Sequence, residues 1–208
     1  MKVLLINGSP HPRGCTDTAL RTVAGALEER GLEAEILHLG AGPVRDCAAC
    51  GACKKAPGRC AFDGDIVNIL IEKAREADGF VFGSPVYYAH PTGLILSVLD
   101  RAFYAGKDAF AHKPAAAVAS ARRAGTCATL DVLQKYFTIS QMPVVASTYW
   151  TMVHGMQAEE VARDEEGLQT LRNLAANMAW LLRCIEAGRA AGVCPPRPEL
   201  GARTNFIR

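Results

Sequence analysis

A chain of 208 residues, 50% hydrophobic and 21% charged, has the length and balance of one soluble domain with a sizeable core, 1–208. A net charge of +2 with no basic tract leaves no footprint for nucleic acid. The uncharged stretches 79–99 and 136–158 are broken by Pro, Gly, Ser or His, and fit buried strand–loop elements rather than a membrane span.

Met1-Lys2 followed by four apolar residues is no signal peptide, so the eight cysteines point to a reducing, cytoplasmic setting. There, clustered thiols mean metal or redox chemistry rather than disulfides. In chain order, 3–6 is an apolar run of branched residues and reads as a strand buried on both faces. Asn7-Gly8-Ser9-Pro10 stops it, and 16–30 has helical spacing that Gly31 terminates. Strand two is 34–39. The stretch 40–65 has no steady period, contains four cysteines, and is too long for an ordinary connection. Asp65 caps a helix to 76, strand three is 79–83, and 84–88 forms a loop before a helix over 92–103. Strand four is 113–119, 120–125 turns, and Thr126 caps a helix to 140. Strand five starts over 143–146, 159–187 is a closing helix, and the Pro- and Arg-rich tail 188–208 lies on the surface or across a neighbour. Strands alternating with helices predict a three-layer α/β sandwich around a five-stranded parallel sheet, order 2-1-3-4-5. Ligands of such sheets sit beyond the carboxyl ends of strands one and three.

Strand, tight loop and helix start aim backbone N–H groups and a positive dipole end at an anion. Ser9, Thr16 and Thr18 add hydroxyls, while His11 and Arg13 add positive charge, so a phosphate site is expected here. The nucleoside-triphosphate loop is missing, because Gly14 is followed by Cys15-Thr16 with no lysine, and no G-x-G-x-x-G is present. Cys15 to Thr22 fits the Cys-x5-Arg-Thr pattern of tyrosine phosphatases. That cysteine, however, opens a loop directly after a strand, whereas Arg21 here belongs to a helix.

Gly8-Ser9-Pro10 with Gly14-Cys15-Thr16 resembles the Gly-Ser-Pro…Gly-Asn-Thr signature of the flavodoxin-like NAD(P)H-dependent FMN reductases. The resemblance implies that this loop holds the FMN phosphate, with Cys15 standing where the family carries Asn or Ser; a thiol is a poorer donor than an amide. Ser84-Pro85-Val86-Tyr87-Tyr88 resembles the family's Ser-Pro-Val-Tyr segment, which wraps the isoalloxazine ring, and Leu99-Asp100-Arg101 its Leu/Ile-Asp-Arg. Asp100 and Arg101 are expected as a structural ion pair under that loop, and His90 as a solvated loop residue. The turn Ser120-Ala121-Arg122-Arg123-Ala124-Gly125 should reach the same sheet edge, with Arg122 as a positive charge near the flavin. Tyr149 to Gly155 is similar to a stretch of bacterial relatives and is expected at an aromatic interface or in the core.

Cys47-x2-Cys50-x2-Cys53-x6-Cys60 lacks the two separated pairs that structural zinc wants, and its spacing suits a cubane iron–sulfur cluster. Ala48, Ala49, Gly51 and Ala52 are small enough for the backbone to curl closely, and Lys54, Lys55 and Arg59 would offset an anionic cluster. Free thiols and zinc remain open beside [4Fe–4S]. The motif resembles that of the iron–sulfur flavoproteins, a branch of the same group. The resemblances imply an FMN-dependent oxidoreductase passing electrons from NAD(P)H through FMN to a small acceptor, such as a quinone or flavin. The alternative is an iron–sulfur flavoprotein that takes single electrons from a ferredoxin through [4Fe–4S] to FMN. A homodimer or homotetramer is expected, with no membrane or nucleic-acid partner. A receiver-like signalling module would want acidic residues after strand one, where Asn7-Gly8-Ser9 stands.

Overall fold

The computed structural model describes residues 1–202 and 204. Its sheet is parallel, in the order β2 (Glu33–His38), β1 (Lys2–Asn7), β3 (Gly79–Pro85), β4 (Ala115–Ala121), β5 (Met152–His154), as the alternating pattern predicts. The three central strands are apolar on both faces because both faces are covered. Side-chain alternation along β1 sends Leu4 and Ile6 to one core and Val3 and Leu5 to the other. The first core is closed by α3 (Ile66–Glu76), α4 (Gly93–Gly106) and α5 (Thr126–Ile139). Within it Phe82 packs on Phe137 at 5.0 Å and Phe103 on Phe110 at 4.2 Å between ring centroids. The second core is closed by α1 (Cys15–Glu28) and α7 (Glu165–Ala190), with Leu20, Val23 and Leu27 of α1 fully buried. Gly31, in the left-handed region at φ 74°, turns the chain out of α1. Among the described residues no helix is long and apolar enough to cross a membrane.

Several boundaries shift by one to three residues, strand four moving from 113–119 to Ala115–Ala121, and the segments after α5 differ most from the sequence expectation. The segment expected to begin strand five makes one bridge, Val144 to Ala115, then leaves the sheet and returns as β5 opposite Ala119 to Ala121. In the gap the Thr151 hydroxyl donates to the Ala117 carbonyl at 2.5 Å, replacing a ladder bond that the departed backbone cannot make. The closing helix is broken into α6 (Ala158–Val161) and α7, because Asp164 starts a new helix by accepting the Gly167 N–H at 3.0 Å. That helix continues to Ala190, so the tail begins after it rather than at 188; Arg203 and 205–208 lie outside the described residues.

One ion cluster ties β1, β2 and α3 together: Glu35 meets Lys2 at 2.6 Å and Lys73 at 2.5 Å. The Lys2 hydrogen bond, then that of Lys73, holds the Glu35 carboxyl below its ordinary 4.5. A carboxylate whose pKa is lowered by folding contributes stability that is complete above its unfolded value. That stability is lost as pH falls through the folded one. Denaturant midpoints measured between pH 7 and pH 3 should therefore fall less steeply for Glu35→Gln than for the native chain; parallel curves would assign Glu35 no such role.

Candidate functional site

The loop after β1 is fixed before any ligand arrives. The Gly8 N–H donates to the Gly83 carbonyl at 2.8 Å. A Cβ on Gly8 would lie 2.7 Å from Ile95 Cδ1 and 3.0 Å from that carbonyl, so no side chain fits. Asn7 Oδ1 accepts the Ser9 N–H at 3.0 Å, and Ser9 Oγ accepts the His11 N–H at 3.1 Å. His38 Nε2, from the end of β2, donates to the Ser9 carbonyl at 2.8 Å. Thr92 was not singled out by sequence, yet its hydroxyl donates to the Gly8 carbonyl at 2.8 Å and accepts the Ile95 N–H at 3.2 Å. Its own N–H donates to Ser84 Oγ at 3.0 Å. One buried threonine thus caps α4 and joins the loops after β1 and β3.

These loops border a cleft of about 600 Å³ at the switch point. Ser9, His11, Arg13, Gly14, Cys15 and Thr16 line it from the β1 side, Pro85, Val86 and Tyr87 from β3, and Ser120 and Arg122 from β4. Gly155, Met156 and Gln157, after β5, close the fourth side and were missed in sequence, since no polar motif marks them. Gly14 precedes α1 in an extended conformation with no side chain capping it among the described residues, so the first-turn N–H groups of α1 remain for a ligand. Thr16 and Ser120 hydroxyls meet at 2.8 Å across the cleft floor. Asp17, in the same first turn, would repel an anion, but its carboxylate accepts Arg21 Nε at 2.6 Å and Asn7 Nδ2 at 3.5 Å. His11, Arg13 and Arg122 are exposed at the rim.

Two predicted residues stand outside the cleft wall, and one lines it differently. Tyr88 is fully exposed at the tip of a small hairpin in which Tyr87 and His90 exchange backbone hydrogen bonds of 2.8 and 3.0 Å. Tyr87 faces the cleft, and the turn carries Tyr88 away from it. Gly125 lies behind the wall: at φ 93°, its Cβ would come within 2.6 Å of Ala89 Cα and 2.8 Å of Val86 Cγ1. Cys15 lines the cleft, but its thiol donates to the Gly155 carbonyl at 3.6 Å and burial pushes its pKa up. It braces α1 against the turn after β5 and is a weak phosphate donor.

The cysteine loop gathers its four thiols. Cys47, Cys50, Cys53 and Cys60 line one apolar void of about 20 Å³, walled by Ala48, Ala49, Gly51, Ala61 and Phe62. The curl is made by Ala49 and Gly51 in the left-handed region, φ 48° and 71°, before the single turn α2 (Ala52–Lys55). Among the described residues no three His, Cys, Asp or Glu approach closely enough for a single metal ion. Four thiols without oxygen or imidazole partners are a donor set that fits an iron–sulfur centre, and equally a zinc ion. Cys60 is buried, Cys53 half-buried, and Cys47 and Cys50 exposed. Arg101 does not pair with Asp100, which instead accepts the Tyr136 hydroxyl at 2.5 Å. Arg101 is buried beneath the cysteine loop and pairs with Asp65. Burial opposes its charge, but the hydrogen bonds to Asp65 and Cys60 outweigh that and raise its pKa.

Comparison with known proteins accords with this geometry. The sequence model of the NADPH-dependent FMN reductase family matches residues 1–157. An iron–sulfur flavoprotein of Methanocaldococcus jannaschii is 31% identical over 195 residues, spanning 89% of this chain and 100% of the relative. Among solved structures, RosB with a bound 8-demethyl-8-formylriboflavin-5'-phosphate intermediate superposes with a TM-score of 0.67 at 18% identity, over 100% of this chain and 96% of RosB. A flavodoxin from the domain Archaea superposes with a TM-score of 0.59 at 13% identity, over 88% and 99% of the two chains. The structural likenesses establish a flavodoxin-like fold. The family match through residue 157 and the full-length likeness to the methanogen protein go further: this chain belongs to the NADPH-dependent FMN reductase family, among its iron–sulfur flavoproteins.

Proposed function

We propose that the chain is an FMN oxidoreductase that draws electrons from NADH or NADPH and delivers them to a small acceptor, such as a quinone or free flavin. The observation that carries this reading is the cleft at the switch point, with a helix N-terminus at one end and Pro85, Val86 and Tyr87 along its wall. The α1 amides with the Ser9 and Thr16 hydroxyls suit one phosphate, and the β3 loop suits a flat ring. FMN, when bound, supplies the hydride- and electron-accepting ring. The chain's part is to anchor the phosphate, orient the ring, and place the Arg122 charge near the pyrimidine edge, where negative charge gathers on reduction. Mixing the anaerobic FMN-loaded protein with NADPH or NADH should bleach the flavin absorbance within seconds. No bleaching by either nucleotide would remove this donor.

A second reading is favoured by the four thiols sharing one void. Here Cys47, Cys50, Cys53 and Cys60 would hold a [4Fe–4S] cluster that takes single electrons from a ferredoxin and passes them to FMN, which stores them. Rapid bleaching by reduced ferredoxin, with none by the nucleotides, selects this reading over the first.

The proposed assembly is a homodimer or homotetramer. Tyr149 and Trp150, packed edge to face at 4.9 Å, are each 57% exposed where the chain leaves the sheet before β5, apolar surface that a second copy would cover. Light scattering at micromolar concentration should report at least twice the 22.2 kDa chain mass; a monomer with FMN bound and full activity overturns it.

A further inference from the structure

Every hydrogen-bond partner of the Arg101 guanidinium lies in the cysteine loop or at its end. Its Nη1 donates to the Arg45 carbonyl at 3.0 Å and to Asp65, its Nη2 to the Phe62 carbonyl at 2.7 Å, and its Nε to Cys60 Sγ at 3.3 Å. The side chain is 1% exposed in an otherwise apolar core, a costly place for a cation that only tethers a surface loop. Cys60 is held from its other side too. Asn68 Oδ1 accepts the Cys60 N–H at 2.8 Å, and Asn68 Nδ2 donates to the Cys60 carbonyl at 3.0 Å, both buried. Of the four thiols, Cys60 alone is fixed at backbone and sulfur together.

We propose that Arg101 is a positioning residue for an iron–sulfur centre: it presets Cys60 as the inner ligand and sets the reduction potential by hydrogen bonding to that sulfur. The inference rests on the reading of the four thiols as cluster ligands. A donor on a ligand sulfur and a buried positive charge both favour the reduced, more negative state of a cluster, and so raise its potential. Asp65, itself paired with the guanidinium, partly cancels the charge.

Two variants with opposite expected signs test this. Arg101→Lys keeps the charge and gives up the planar Nε–H that reaches sulfur. Asp65→Asn removes the cancelling anion and keeps one acceptor oxygen, which caps α3 through Val67 or accepts from Arg101 but not both. Each is reconstituted anaerobically with iron and sulfide and titrated potentiometrically, with the reduced cluster detected by electron paramagnetic resonance. Arg101→Lys should shift the reduction equilibrium about tenfold toward the oxidised cluster, about 59 mV for one electron, and Asp65→Asn should shift it the other way. Potentials equal to the native one at full iron content overturn the proposal and leave the cluster reading standing. Native protein that takes up no iron and keeps four reactive thiols overturns both. Should Arg101→Lys not fold, Asp65→Asn still decides, since an unchanged or lowered potential there is fatal. In the metal-free protein, amide exchange over 45–62 should quicken in Arg101→Lys; unchanged exchange refutes the positioning role.

Discussion

Replacing Cys50 with Ala should abolish, rather than weaken, the iron signature of anaerobically isolated protein. With four thiols around one void whose lining includes no other Cys, His, Asp or Glu, no substitute ligand stands ready among the described residues. Broad visible absorbance beyond the flavin bands should vanish, together with the resonance signal seen on reduction and the acid-labile sulfide. FMN content should be unaffected, because the cleft takes none of its lining from the cysteine loop. Cys47 and Cys50 are exposed, so preparation in air strips such a centre and tests nothing. The decisive negative is native anaerobic protein with full FMN, no iron, and titratable thiols at all four positions. In that event the ferredoxin-fed carrier falls, and a plain two-electron FMN reductase remains.

The second large effect is expected at the phosphate end of the cleft. Ser9→Ala combined with Thr16→Ala should weaken FMN binding to the apoprotein by about 2–4 kcal/mol, roughly thirty- to a thousand-fold, from two lost charge-assisted hydrogen bonds. Both hydroxyls lie on residues that are nearly fully buried yet line the cleft, so their hydrogens have few competing acceptors. Thr16 and Ser120 hydroxyls face each other at 2.8 Å, so Thr16 can turn its hydrogen outward to the phosphate while its oxygen accepts the Ser120 hydrogen. Ser9 Oγ already accepts the His11 N–H, which leaves its own hydrogen for a ligand. An unchanged dissociation constant in a fluorescence titration would remove this loop from the binding site.

The sheet order and most of the cleft were legible because local chemistry announces them. Val3 to Ile6 and Phe80 to Phe82 are continuous apolar runs, and Gly8, Pro10 and Pro85 punctuate them where the chain must turn. What escaped reading depends on partners far apart in sequence. Thr92 reaches Gly8 and His38 reaches Ser9 across the sheet edge, with no spacing to signal either. The break in β5 is hidden because a side chain, Thr151, fills the ladder. Arg101 beside Asp100 reads as an ion pair in sequence, although adjacent helical residues point about 100° apart and cannot face one another. The acid it meets, Asp65, was legible only as a helix cap. Tyr87 and Tyr88 are alike in sequence, and the tight turn closed by the Tyr87–His90 bridge separates them into wall and tip.

That tip constrains substitution in a second segment of the chain. Tyr88 and Ala89 both sit at positive φ, 51° and 59°, and Ala89 rests where a side chain at position 125 would be. The two positions are therefore coupled, but not reversibly. Shrinking Ala89 to Gly relieves part of the crowding, yet Val86 still blocks a Cβ at position 125, and φ 93° still strains any residue there other than glycine. Exchanging the two residue types cannot restore the fit. A side chain at position 125 is therefore accommodated only by rebuilding the loop after β3 as a whole.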